Sequence, residues 1–403
     1  MNKTYDCLVI GCGLAGAVIS RELAERAGKK VLIMEKRSHI AGTTYDFLNE
    51  DGILVHKYGP HIFHTYNKRV FDYISRFTKW RDYSHEVLAN IYGKFMPVPF
   101  NLNSLYMAFD LKKADRLEQK LVSAYGMGQR LTIAELRNNK DIEFQELADF
   151  VYNNVFLNYT QKQWGVTPEE IDSSVIARVP ILISRDNRYF QDTYQGIPAN
   201  GYTSLFDKLL DHPNVSLRLD TDANALLKII EGDIFFEDRP FEGTVIYTGA
   251  LDQFFDCQFG RLPYRTVDFL FETHDVTWYQ SKGTINYTVD QPFTRITEFK
   301  HLTGQNVYNK TTIMKEYPKS YTGSEGETPY YPIISSDNFK LYEKYKQLTN
   351  SLHDFYLLGR LAEYKYYNMD AIIERALILA DEIICSRKGN NIDEDNNIYS
   401  SVL

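Results

Sequence analysis

Tyr5-Asp6-Cys7-Leu8-Val9-Ile10-Gly11-Cys12-Gly13-Leu14-Ala15-Gly16 is the stretch that decides the fold. Residues 5–10 read as an apolar strand, 11–16 as a glycine turn, 17–27 as an amphipathic helix closed by Gly28, and 31–34 as a second strand. That order is a βαβ opening, and the turn fits GxGxxG. In this pattern Gly11 makes the tight turn, Gly13 lets backbone approach a pyrophosphate, and Gly16 lets the helix pack on the strand. The helix N-terminus then faces the phosphate charge. Glu35 ends the second strand nineteen residues after Gly16, where a carboxylate reaches a ribose hydroxyl and would repel the 2′-phosphate of NADP. FAD and NAD both fit this opening. Arg37 followed by Ala41-Gly42, and a later strand 244–248 ending in Gly249, are features shared with flavoproteins and favour FAD.

Working outward, the chain has 403 residues, 44% hydrophobic and 24% charged, enough for two or three cores with an ordinary polar surface. Lys plus Arg is 45 against 53 Asp plus Glu, a net charge of −8. That leaves no broad positive field for nucleic acid or an anionic membrane, so an anionic ligand must be met by a local cluster. Cys7, Cys12, Cys257 and Cys385 form neither a CxxC pair nor a disulfide framework. This usage fits a reducing cytoplasm and excludes structural zinc. No apolar run approaches the length of about 18 residues needed to span a bilayer.

From residue 102 to about 180 the pattern is helical, with a long helix over 111–125 and a Thr132-x-x-Glu135 capping box. After Tyr202 the segments 215–219, 244–248, 265–272 and 284–289 read as an antiparallel sheet. In the third of these Val267, Phe269 and Phe271 share one face. A loop over 318–332 precedes a strand at 356–358 and a last helix over 369–385, and the acidic, Asn-rich stretch after Ser386 reads as disordered.

Several longer motifs identify a family. They are His56-Lys57-Tyr58-Gly59-Pro60-His61-Ile62-Phe63-His64-Thr65, Tyr159-Thr160-Gln161-Lys162-Gln163-Trp164, Asp186-Asn187-Arg188-Tyr189-Phe190, Thr294-Arg295-Ile296 and Gly359-Arg360-Leu361-Ala362-Glu363-Tyr364-Lys365-Tyr366-Tyr367. In this order they strongly resemble bacterial UDP-galactopyranose mutase, from about Tyr5 to Ile384. The resemblance implies an α/β protein with a Rossmann-like FAD-binding domain, a helical insertion domain and a twisted antiparallel β-sheet domain. The implied division assigns 1–80, 202–262 and 355–390 to the FAD domain and 100–182 to a helical substrate and lid domain. It assigns 83–99, 183–201 and 263–354 to the sheet domain, and 391–403 to a polar tail.

The implied activity is a redox-neutral conversion of UDP-galactopyranose to UDP-galactofuranose, active only with reduced FAD, whose N5 attacks the anomeric carbon and displaces UDP. Another UDP-sugar such as UDP-N-acetylgalactosamine, or an FAD-dependent oxidoreductase, is the alternative. An external electron donor and a homodimer are also implied. The chain shows none of the hydrolase or zinc motifs, as expected where a cofactor supplies the nucleophile.

By resemblance, Arg178 and Arg295 hold the diphosphate, where guanidinium groups can make paired charge-assisted hydrogen bonds. Tyr159, Tyr189, Tyr317 and Tyr366 add hydroxyls. Phe156 lies on the uridine side, Trp164 on a loop that closes over substrate, and His85, Thr160 and Asn286 make lesser polar contacts. His64 is the candidate for general acid or base work beside the flavin. Ala15, Lys36, Gly42, Thr43, His61, Ile62, Thr221, Arg360, Asn368 and Met369 line the cofactor together with Gly11, Gly13, Gly16 and Glu35.

The sequence departs from the family at Ala41, Thr43 and Pro60, which stand where Gly, Asn and Ala are usual, and at Asn368, which stands for Asp. Loss of glycine at 41 predicts an ordinary turn conformation there. Asn368 predicts an unchanged helix start, because Asn caps about as well as Asp, but altered turnover or sugar preference.

Overall fold

The computed structural model describes residues 5–165 and 180–396. The glycine-turn opening folds as read: strand Cys7–Ile10, helix Leu14–Ala27 and strand Val31–Met34, with Gly28 in the left-handed conformation closing the helix. These strands belong to a five-stranded sheet. Its order is Val215–Arg218, Val31–Met34, Cys7–Ile10, Thr244–Tyr247 and Phe355–Leu357, all parallel. The segments at 215 and 244 are therefore not antiparallel, which corrects the sequence expectation. Thr244–Tyr247 is buried along its whole length, the mark of a central parallel strand covered on both faces. One face packs on the helices Leu14–Ala27, Gly201–Leu210 and the last helix, around Val9, Ile33, Phe206 and Ala376. That last helix runs Met369–Asn396, past Ser386, where the sequence reading expects disorder.

A second, seven-stranded sheet has the order Tyr331–Pro332, Tyr264–His274, Thr311–Ser320, Arg295–Glu298, Thr284–Tyr287, Val87–Ile91, Lys94–Val98. It is antiparallel except where Thr284–Tyr287 runs parallel to Val87–Ile91. Val267, Phe269 and Phe271 do share a face, opposite Pro318, Glu316 and Met314. Strand Thr311–Ser320 runs on into the stretch read as a loop.

The helical region contains Leu111–Tyr125 with its bounds as expected, and the Thr132/Glu135 capping box is formed in both directions. Helices Ile142–Val151 and Leu157–Trp164 are joined by a π-helical turn, Tyr152–Phe156. One extra residue in a turn rotates everything after it by about 100° around the axis. Phe156 thereby enters the helical core with Phe144 and Val151. Nothing in the hydrophobic periodicity announced this turn.

Candidate functional site

The dinucleotide cradle is built by close backbone approaches. A Cβ on Gly11, at φ +100°, would sit 2.2 Å from Thr248 Oγ1, and one on Gly16 would sit 1.9 Å from the Gly11 carbonyl oxygen. Gly42, at φ +55°, comes so near the glycine turn that its Cβ would lie 2.9 Å from Gly13 Cα. Ala41 stands in the left-handed conformation, φ 71°, so the expected ordinary turn is not formed. Its carbonyl oxygen accepts from Thr44 N at 2.9 Å and Thr44 Oγ1 at 2.7 Å. Those two bonds and the Gly13–Gly42 approach hold the alanine in a conformation that favours glycine.

The resulting cavity is lined by Gly11, Gly13, Ala15, Glu35, Lys36 and Thr221 together with Gly42, Thr43, His61, Arg360, Asn368 and Met369. Gly16 and Ile62, also expected along the cofactor, do not line it. Gly16 supports the helix from behind, and Ile62 packs with Ile197 and Leu302. Glu35 is buried; its Oε2 accepts from Cys12 N at 2.9 Å and its Oε1 from Arg37 N at 3.0 Å. It thus ties the glycine turn to the second strand. The Cys12 thiol is pushed up to about 12, mainly by burial and then by Glu35, and is inert as a nucleophile.

A polar cluster adjoins this cavity. Arg295 Nε donates to Glu316 Oε1 at 2.6 Å; Glu316 is 2% exposed and Arg295 25%. Burial opposes the guanidinium's charge, but Glu316 and the oxygens of Tyr159 and Tyr331 outweigh it and hold its pKa well above the ordinary value. Burial raises the Tyr159 phenol, with Arg295 opposing. His61 is pushed down to about 3 by burial, then by His56, with Arg360 and Arg295 both near enough to contribute. It therefore lies between the cavity and the cluster. His85 is likewise pushed down to about 3, by burial first and Arg295 second, and is a neutral imidazole at pH 7.

Arg360 belongs to both parts. It lines the cavity, donates to the carbonyl oxygens of Tyr330 at 3.2 Å and Tyr367 at 2.5 Å, and lies 5.0 Å from the ring centroids of both Tyr331 and Tyr366. Those rings stack at 5.6 Å and 16°, and Trp164 stands 5.9 Å from Tyr331. Tyr189 packs edge-on against His85 and Phe190. Asn286 sits directly across the ladder from Arg295, on the same sheet face, with a buried side-chain oxygen that has no partner among the described residues. Thr160 is buried one position after Tyr159.

Lys162 anchors this helix end. Its ammonium donates to the carbonyl oxygens of Tyr287, Gln291 and Phe293, while Arg265 donates to those of Lys162 and Gln163. Gly165, left-handed at φ 75°, ends the helix just after Trp164.

Two expectations change. Tyr317 follows Glu316 in its strand, so it points to the opposite face from Arg295 and packs against Phe293. Tyr331 stands beside Arg295 instead. Sequence reading missed Tyr331 and Glu316, although strand alternation would have shown that only one of residues 316 and 317 can share the face of Arg295. Arg178, expected as the second diphosphate arginine, lies outside the described residues. Among the described residues no group of His, Cys, Asp and Glu could hold a metal ion, and no helix is long and apolar enough to cross a membrane.

The comparisons with known proteins agree with this geometry. A family model described as UDP-galactopyranose mutase matches residues 154–366, and one described as an NAD(P)-binding Rossmann-like domain matches residues 9–77. UDP-galactopyranose mutase of Mycoplasma pneumoniae is 36% identical over 391 residues, 95% of this chain and 97% of that protein. The dTDP-fucopyranose mutase of Escherichia coli is 35% identical over 96% of this chain and 100% of its own length. A crystal structure of reduced UDP-galactopyranose mutase shares the fold with a TM-score of 0.69, at 16% identity, over 95% of this chain and 94% of that one. With more than half its length matched by the mutase model and named relatives at about 35% identity across nearly all of it, the chain belongs to the UDP-galactopyranose mutase family of isomerases.

Proposed function

We propose that this protein interconverts UDP-galactopyranose and UDP-galactofuranose using reduced FAD. The observation that carries the reading is Arg360, which shares the dinucleotide cavity and packs over the Tyr331–Tyr366 pair beside Arg295. One side chain thus joins a cofactor cradle to a cluster suited to a diphosphate. The cradle fits FAD: the glycine turn leaves backbone room for a pyrophosphate, and Glu35 Oε2, which accepts only from Cys12 N, keeps acceptor capacity for a ribose hydroxyl, whereas Oε1 is taken by Arg37 N and its guanidinium. When bound, reduced flavin supplies the nucleophile for the anomeric carbon.

The chain's own residues bind, orient and neutralise. Arg295, with its charge held by Glu316, meets the diphosphate, and Arg178 is its expected partner. Tyr159, Tyr189, Tyr331 and Tyr366 offer phenolic donors, and burial raises the Tyr159 and Tyr331 phenols. Phe156, Thr160 and Trp164 are assigned to the uridine end, and His85 and Asn286 to polar contacts with the ligand. His64 is assigned acid–base work. The cradle residues named above, with Asn368 and Met369 at the start of the last helix, are assigned to FAD. The protein is further proposed to act as a cytoplasmic homodimer, with flavin reduced by an external donor.

The test is anaerobic incubation of purified yellow protein with UDP-galactopyranose, with and without dithionite, product being followed by chromatography. Product only after reduction supports the reading. Because the Escherichia coli relative is named for dTDP-fucopyranose and is nearly as similar as any UDP-galactopyranose mutase compared here, dTDP-fucopyranose is run alongside. Turnover of that substrate alone would overturn the assignment to UDP-galactose and leave the chemistry in place.

A further inference from the structure

We propose that Asp192 is a positioning residue that holds the ring of His64 for proton transfer between the two sugar oxygens exchanged in the isomerisation. The proposal rests on the mutase reading above. Pyranose-to-furanose conversion moves the ring bond from O5 to O4. O5 therefore gains a proton and the O4 hydroxyl loses one, with no net change. A single imidazole that gives a proton to O5 and takes one from O4 ends in the state in which it began.

The structure fixes His64 on two sides. Its Nδ1 lies 3.1 Å from Asp192 Oδ2, and its ring stacks on Phe190 at 3.6 Å and 12°. Both members of the pair are largely buried, with side chains 14% and 15% exposed. Among the described residues Asp192 is the only hydrogen-bond partner of the ring, so Nδ1–H donates to the carboxylate and Nε2 is the nitrogen that gives and takes the proton. One short segment supplies all of this. Tyr189, Phe190 and Asp192 precede the strand Tyr194–Pro198, which pairs with Phe63–Thr65 so that Gln195 faces His64. Gln195 Nε2 donates to the carbonyl oxygens of Phe190 at 3.0 Å and Asp192 at 2.9 Å, pinning the segment.

The same segment is tied to the substrate cluster, because Tyr189 N donates to the His85 carbonyl oxygen at 2.7 Å. The charged and titratable groups around His64 are Asp192, His85 and, beyond His85, Arg295. Asp370 of the last helix accepts from the adjacent Thr65 Oγ1 at 2.9 Å.

The experiment compares wild type with Asp192→Asn, Asp192→Ala and Asp192→Glu, each checked for full flavin content. Turnover of UDP-galactopyranose by the reduced enzymes is measured from pH 5 to 9. Removing the carboxylate withdraws the support for the imidazolium that gives the proton to O5, so Asp192→Asn is expected to move the alkaline limb of kcat to lower pH by about one unit. It should also lower kcat at least tenfold with KM within about threefold of wild type. Asp192→Glu is expected to restore the limb. A uniform loss with an unmoved pH profile, or no loss, overturns the proposal.

Histidine proton NMR on the same variants, assigned with His64→Gln, reads the His64 titration without turnover. If wild type does not isomerise UDP-galactopyranose at all, the mutase reading fails separately. A His64 midpoint unchanged by Asp192→Asn still overturns the pairing.

Discussion

Glu316→Gln is the substitution whose consequences the structure specifies most closely. Glutamine can still accept from Arg295 Nε, but the counter-charge is gone. Two unit charges about 4 Å apart attract by about 4 kcal/mol at an effective dielectric constant of about 20. A quarter of the Arg295 side chain reaches the cleft, and screening there reduces the loss to about 2–3 kcal/mol. The unliganded variant is therefore expected to unfold more readily in denaturant by about that amount.

A diphosphate at the guanidinium would replace the missing charge and no longer feel the carboxylate behind it. UDP is expected to bind several-fold tighter, a gain of about 1 kcal/mol, and to stabilise the variant more than it stabilises wild type. Titration calorimetry with UDP and denaturant unfolding with and without UDP measure both. Weaker UDP binding together with unchanged stability would refute the reasoning, because it would mean that Arg295 does not present its charge to the nucleotide.

Four other outcomes are expected. Ala41→Gly relieves a left-handed alanine at the cost of greater freedom in the unfolded chain, and stabilises by about 0.5–1 kcal/mol with flavin content unchanged, as read by unfolding midpoint and absorbance; a destabilised variant would show that the buried methyl outweighs the backbone. Gly11→Ala forces a Cβ against Thr248 Oγ1 and yields colourless protein; full flavin occupancy would contradict the cradle. Asn368→Asp restores a carboxylate at the cavity wall and alters turnover or sugar preference, so matched steady-state kinetics of the two proteins on UDP-galactose would remove that role for residue 368.

The fourth concerns acid. Hydrogen bonds from Arg76, then Arg21, hold the Glu25 carboxyl down at about 2. Its folded value is below its unfolded one, so its contribution is present above about pH 4.5 and is lost as the pH falls toward 2. A third of the side chain is exposed, which limits the effect to under about 1 kcal/mol. The stability gap between wild type and Glu25→Gln should close over that range; a gap independent of pH would show that packing is responsible.

The first turn was legible because its constraints are steric and local: the glycines at 11 and 16 stand where any Cβ meets an atom within about 2 Å. The capping box at Thr132 was legible for the same reason. Strand direction was not, since it depends on which strands lie side by side. Yet the unbroken apolar run at 244–247 carried a parallel-sheet signal that the expectation of an antiparallel sheet passed over. Ala41 misled because backbone preference is worth only about 1–2 kcal/mol, less than the contacts that hold the Gly42 loop against Gly13. Tyr331 was hidden because motif likeness fixes residue type and approximate place, while the parity of a strand decides which face a side chain joins. The π-turn, which orients Tyr159 and Thr160, leaves no mark in composition.

The five-stranded sheet has a consequence for biosynthesis. Its edge strand Phe355–Leu357 pairs with Thr244–Tyr247, which in turn pairs with the first strand, and the helix beginning at Met369 packs on the first helix, although both come more than 300 residues later in the sequence. Gly359, Asn368 and Met369 line the same cavity as Gly11 and Ala15, and Gly359 comes so near that its Cβ would lie 3.3 Å from that of Ala15. A ribosome adding about 5–20 residues per second holds an open half-cradle until the residues from 359 to 369 have followed, more than 340 residues after the glycine turn. Capture of a dinucleotide by the whole cradle therefore waits until the segment around Gly359 and Met369 has folded back onto the glycine turn.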